Sequence, residues 1–133
     1  MPRPVRSELE LRLPPDGAHV ALLRTTAAAL AARLDFTLDD IEDLRILVSE
    51  AAALVLEATA EDPATTELVV RLAPIGRRIH LAVSAPCTPP ATIDRSSFSW
   101  QVLSALGGEI AVGEDPEHLS VELLFEAPPL DAP

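Results

Sequence analysis

Side chains able to do chemistry are few and scattered along this chain. His19, His80 and His118 fall in three separate segments, and the single cysteine, Cys87, has no neighbour at metal-ligand spacing. Each reads as a surface or half-buried residue rather than a ligand, so no metal centre is expected. No GxSxG elbow, no GxxxxGKS phosphate loop and no GxGxxG run is present, which removes the common signatures of nucleophile and phosphate-loop chemistry. Glu50 is more informative, because it sits in Ile41-Glu42-Asp43-Leu44-Arg45-Ile46-Leu47-Val48-Ser49-Glu50-Ala51 where apolar residues are densest. A carboxylate there needs a partner or a wet pocket. The alternative reading, a glutamate at the edge of the stripe reaching solvent, is the commoner of the two because buried Glu is rare.

The elements that must position these residues follow from periodicity. Leu9, Leu11 and Leu13 alternate with charged residues, which predicts a half-buried strand over Ser7 to Leu13, stopped by Pro14-Pro15. Asp16 can cap a helix from about Gly17 to Leu34, with Val20, Leu23, Ala27, Leu30 and Leu34 on one stripe. Thr37 can cap a second helix, Phe36 can staple onto Ile41, and the helix ends before Pro63. Strands are predicted over Thr66 to Ala73 and Arg77 to Ala85, joined by a turn at Pro74-Ile75-Gly76. A proline-rich loop spans Pro86 to Arg95 and carries Cys87. Ser96 or Ser97 can cap a third helix that stops near Gly107-Gly108. Glu109 to Gly113 and Leu119 to Glu126 complete the chain as strands around Glu114-Asp115-Pro116.

This order, β-α-α-β-β-α-β-β, predicts an α+β fold: a two-layer sandwich in which a mostly antiparallel sheet is covered on one face by three helices. A chain of 133 residues has room for one core, so a single domain is expected over 7–126, with 1–6 and 127–133 as flexible tails. The apolar stretches Ala18 to Leu34 and Ile46 to Leu56 are interrupted by Arg24, Arg33 and Glu50, too short for membrane spans. The start, Met1-Pro2-Arg3-Pro4, has no apolar signal region, and a cytoplasmic location is expected.

All ten basic residues are Arg, and 21 Asp plus Glu leave a formal net charge of −11. Nucleic acid and anionic membrane would repel that surface, whereas a basic protein partner would be steered towards it.

The run Val48-Ser49-Glu50-Ala51, preceded by an Arg-bearing helix and followed by a β-hairpin, resembles the anti-sigma factor serine kinases, RsbW and its sporulation relatives, of the GHKL ATPase superfamily. The resemblance extends in element order over about residues 7–126. Ala21-Leu22-Leu23-Arg24-Thr25 and Ser96-Ser97-Phe98-Ser99-Trp100-Gln101-Val102-Leu103 further resemble the actinobacterial UsfX-type branch. It implies a GHKL-like, Bergerat-type sandwich.

Departures from the family pattern concentrate at the nucleotide site. The family's Glu-Ala-x-x-Asn motif uses Glu as general base and Asn to hold magnesium. Glu50 and Ala51 match, but Leu54 stands at the Asn position and has no oxygen for a hard cation. The family's Asp-x-Gly-x-Gly falls on Ala85-Pro86-Cys87-Thr88-Pro89, without the adenine-reading carboxylate or either glycine. The glycine-rich start of the last helix falls on Ser97-Phe98-Ser99-Trp100. There Ser97 and Ser99 still offer backbone amides that can hold an anion weakly. The implied site is a degenerate nucleotide pocket with Glu50 a vestigial base, no cofactor expected, and weakly bound ATP and Mg²⁺ the alternative. Phe98 and Trp100 read more often as core fillers than as a recognition patch.

What the resemblance leaves is the binding half of the family's work. It implies an anti-sigma factor that sequesters a sigma factor, usually as a homodimer, released by a STAS-type anti-anti-sigma antagonist. Arg24 matches the family position that contacts these partners; read without the resemblance, it is an exposed helix residue paired with a nearby acid. The acidic helix start Asp39, Asp40, Glu42 and Asp43 reads either as a face for a basic partner or as helix-dipole compensation. The alternatives are an active ATP-dependent serine kinase acting on the antagonist, and a non-catalytic adaptor on the same fold.

Overall fold

The computed structural model describes residues 8–127. Alternation of apolar and polar side chains builds its sheet. Leu68, Val70 and Leu72, then Ile79, Leu81, Val83 and Ala85, then Leu119, Val121, Leu123 and Phe125 are all buried, while the residues between them turn to the other face. They belong to β2 (Leu68–Ile75), β3 (Arg78–Pro86) and β5 (His118–Glu126), flanked by β1 (Leu9–Leu13) and β4 (Ile110–Glu114). The order is β1-β2-β3-β5-β4, and every neighbouring pair is antiparallel.

Three helices cover one face: α1 (Val20–Arg33), α2 (Leu38–Ala58) and α3 (Phe98–Gly107). The central one, α2, packs against both of the others and against β3 and β5. Leu44, Leu47, Val48, Ala51, Leu54 and Val55 form its fully buried stripe. Its start is a capping box in which Asp40 N–H donates to the Thr37 hydroxyl at 3.1 Å and Thr37 N–H donates to the Asp40 carboxylate at 3.2 Å. Phe36, just before it, is buried with its ring centroid 6.0 Å from that of Phe125 and the Arg77 guanidinium 5.3 Å above its face.

Several expectations shift. Asp16 caps as expected, accepting from Ala18 N–H at 3.0 Å, but it opens a 3-10 turn over Gly17–His19 before α1 begins. The fully buried stripe of α1 is Leu23, Ala27 and Ala31; Val20, Leu30 and Leu34 are half-buried. Alanines at that seam let α1 lie close along α2. Pro74 belongs to β2, paired with Ile79, and the hairpin turns through Gly76-Arg77 with Gly76 at φ 62°. Pro74 fits there because the pairing with β1 ends at Leu72, so no partner needs its missing N–H on that side.

Ala127, assigned by the sequence to a tail, is buried, and its N–H donates to the Arg77 carbonyl at 3.3 Å. Ser7, the segment 1–6 and the rest of the C-terminal tail lie outside the described residues. Among the described residues no helix is long and apolar enough to cross a membrane.

Candidate functional site

Ser49 and Glu50 are consecutive on α2, and their side chains reach opposite neighbours. The Ser99 hydroxyl, on α3, donates to Glu50 Oε1 at 3.2 Å; Arg24 Nη1, on α1, donates to the Ser49 hydroxyl at 3.2 Å. One turn of α2 therefore gathers Glu50, Ser99 and Arg24, three of the four residues singled out by the sequence. Glu50 and Arg24 are half-buried and Ser99 is buried. Glu50 has the partner that its position demanded. The nearby acid suggested for Arg24 is replaced by a serine.

Ser97, the fourth, is committed elsewhere. Its hydroxyl accepts from Trp100 N–H at 3.1 Å as the N-cap of α3 and donates to the Asp94 carbonyl at 2.9 Å. Phe98, next to it, is 74% exposed, which overturns its reading as a core filler. Trp100 is half-buried with the Arg95 guanidinium 5.4 Å above its ring.

Around the expected nucleotide positions the chain is filled and pinned. Leu54 is 1% exposed inside the core, and Ala85 is fully buried in the sheet, paired with Leu119. Cys87 is buried rather than set in an exposed loop, and its N–H donates to the Glu117 carbonyl at 2.9 Å. Burial, reinforced by the charges of Asp62 and Asp115, raises its thiol pKa. Asp62 accepts from Thr88 N–H at 2.7 Å, from the Thr88 hydroxyl and from Ala64 N–H, bonds that hold its carboxyl below the usual range. Further along, Ile93 N–H donates to Glu114 and the Ser96 hydroxyl and N–H donate to Asp94. A cleft of about 410 Å³ lies away from these residues, between α1 and the β1 edge, lined by Leu9, Leu30, Leu34 and Pro74. Among the described residues no three His, Cys, Asp or Glu side chains converge on a common point.

No protein-family model matches the chain. It is 30% identical over 104 residues to the serine-protein kinase RsbW of Bacillus velezensis, covering 67% of this chain and 65% of that protein. It is 38% identical over 113 residues to the serine-protein kinase RsbW of Bacillus cereus, covering 84% of the chain and 64% of the relative. The anti-sigma-F factor RsbW of Mycobacterium tuberculosis matches at 33% over 97 residues, 73% of the chain and 56% of the relative. The chain belongs to the RsbW-like family. It matches 56 to 65% of the length of those relatives. The crystal structure of the RsbU and RsbW domains of a Mycobacterium tuberculosis protein superposes on the RsbW-like fold with a TM-score of 0.71. That match covers 95% of this chain and 32% of the other, at 17% identity.

Ser49 was missed as a site residue. The signal was present: a serine in the middle of a helix must spend its hydroxyl somewhere, and the turn beside Glu50 was already marked. The pinning role of Asp62 had no such signal, since Thr88 lies 26 residues away.

Proposed function

We propose that this RsbW-like chain is a cytoplasmic anti-sigma factor that holds a sigma factor by direct protein contact, independently of nucleotide, and is released by a STAS-type anti-anti-sigma antagonist. Homodimerisation and the absence of direct nucleic-acid binding belong to the same reading. The observation that carries it is the turn at Ser49-Glu50. The partner-facing arginine is kept and hydrogen-bonded there, while the carboxylate beside it is occupied by Ser99. Support also comes from the RsbW relatives, one of them named an anti-sigma-F factor.

The residues at the nucleotide positions do not fit magnesium-bound ATP. Leu54 is a hydrocarbon in the core where an oxygen ligand is needed, Ala85 lacks a carboxylate, and the Ser97 N–H is donated to the Asp94 carbonyl at 3.3 Å. Loss of the metal ligand and the adenine-reading carboxylate, with the family's glycines gone from the start of α3, leaves phosphoryl transfer without its means, since that reaction works through metal and positioning.

The second reading is the serine kinase, favoured by the names of the Bacillus relatives and by the retained Glu50. A pull-down of the tagged chain from its host's lysate, with and without Mg-ATP, separates the two. Equal recovery of a sigma factor under both conditions is expected. Recovery only with ATP, or transfer of labelled phosphate to a co-purifying antagonist, supports the kinase, and no sigma factor in either sample supports the adaptor.

A further inference from the structure

Serine is unfavourable in the interior of a helix unless its hydroxyl is used, because it competes with the backbone for hydrogen bonds. Ser49, in the second half of the 21-residue α2, uses it twice. The hydroxyl donates to the Arg45 carbonyl at 3.0 Å and accepts from Arg24 Nη1 at 3.2 Å. The first bond fixes the rotamer, since a hydroxyl tied to the carbonyl four residues back has one place to be. The second then holds one corner of the guanidinium of Arg24, a half-buried residue of α1.

Arg24 makes no other hydrogen bond or ion pair among the described residues, and none of its nitrogens is buried without a partner. The edge formed by Nε and Nη2, the one that grips a carboxylate with two parallel bonds, is thus left open. The neighbouring charged groups of α2 are committed elsewhere. Arg45, one turn earlier on α2, has its Nε buried without a partner and its Nη1 4.0 Å from Glu42. The Glu50 carboxylate is engaged by Ser99, on α3.

We propose that Ser49 is a positioning residue that presets the Arg24 guanidinium for a carboxylate carried by the partner protein, making the α1–α2 seam a preformed carboxylate notch. The inference rests on the reading of Arg24 as a partner contact. A long side chain ordered before binding loses less freedom on binding, so the effect belongs in affinity rather than in fold stability.

Two variants test it on the full chain: Ser49→Ala removes the acceptor and Ser49→Thr keeps a hydroxyl that can bond the same carbonyl. Nitrogen-15 relaxation of the Arg24 Nε–Hε group needs no partner. The wild type and Ser49→Thr should show an ordered side chain, and Ser49→Ala should let it move like an exposed arginine. Against the sigma factor recovered in the pull-down, Ser49→Ala should bind about fivefold more weakly. Ser49→Thr should restore affinity, and Ser49→Ala should add no loss in an Arg24→Ala background. Unchanged Arg24 mobility in Ser49→Ala, or an equal loss in both backgrounds, overturns the proposal. If Arg24→Ala binds as well as wild type, the partner-contact reading itself fails; if it weakens binding while Ser49→Ala does not, Ser49 alone is refuted.

Discussion

Arg24 and Leu54 carry opposite tests of the same reading. Arg24 reverses sign in Arg24→Glu without disturbing the core, since the residue is half-buried and, among the described residues, its side chain bonds only to Ser49. Partner affinity should drop by at least tenfold with the melting temperature unchanged; calorimetric titration against the recovered sigma factor checks it, and unaltered affinity sinks the assigned contact. Leu54→Asn restores the family's metal-ligand residue type at a position 1% exposed. It buries an amide without a partner and removes methyl contacts, so it should cost about 2–5 kcal/mol and still produce no Mg-ATP-dependent thermal shift. A shift of several degrees with nucleotide would show that one side chain had been the obstacle. Both residues were legible in the sequence, one by match and one by mismatch. What was not legible is that Glu50 spends its carboxylate on Ser99 and Arg24 its guanidinium on Ser49, because side-chain pairs 49 and 25 residues apart depend on how three helices are laid side by side.

At the level of elements, capping and close approach decide where α3 sits. Ser97→Ala removes its N-cap bond to Trp100 N–H and should destabilise the protein by about 1 kcal/mol in urea unfolding. Gly107 has a second role beyond ending the helix. A methyl added there would stand 3.3 Å from Leu47 and Leu123 Cδ2, so Gly107→Ala should require both leucine side chains to shift by a few tenths of an ångström. The segment after β3 and the turn between β4 and β5 are tied down by carboxylates whose bonds lower their pKa. The Thr88 N–H does this for Asp62, the Ser96 hydroxyl for Asp94, and the Glu117 N–H for Asp115. With folded values below the unfolded value of about 3.9, their contribution is present above that pH and lost as pH falls through the lower folded values. Melting temperature should therefore decline below about pH 4, and Asp62→Asn should flatten part of that decline. An unchanged profile in the variant would show that the loop is not held this way. The caps of α2 and α3 were readable from Thr37 and Ser97, whereas Asp16 caps the 3-10 turn ahead of α1, which has no side-chain cap of its own. The hairpin was misplaced because proline normally breaks a strand, and only the end of β1 at Leu9–Leu72 shows why Pro74 is tolerated.

For the molecule as a whole, alternation and the order of elements were enough to predict the layered α+β architecture, and the strand order added what no periodicity carries: β5 inserts between β3 and β4. The net charge of −11 argues that association with a basic partner is fast at low salt. The association rate should fall about tenfold between low and physiological ionic strength, measured by stopped flow. A rate independent of salt would place the partner contact outside the field of the acidic surface.

Leu54, in the last third of α2, reaches further than the site it fills. On the proposed reading no reaction drives this regulator in one direction, so it has no memory of past signals and no ratchet. Its state at any moment is set by the relative amounts and affinities of the proteins competing for it, as a balance is set by its weights. A cell using such a part adjusts transcription by changing how much antagonist it makes, and every setting is reversed by dilution alone.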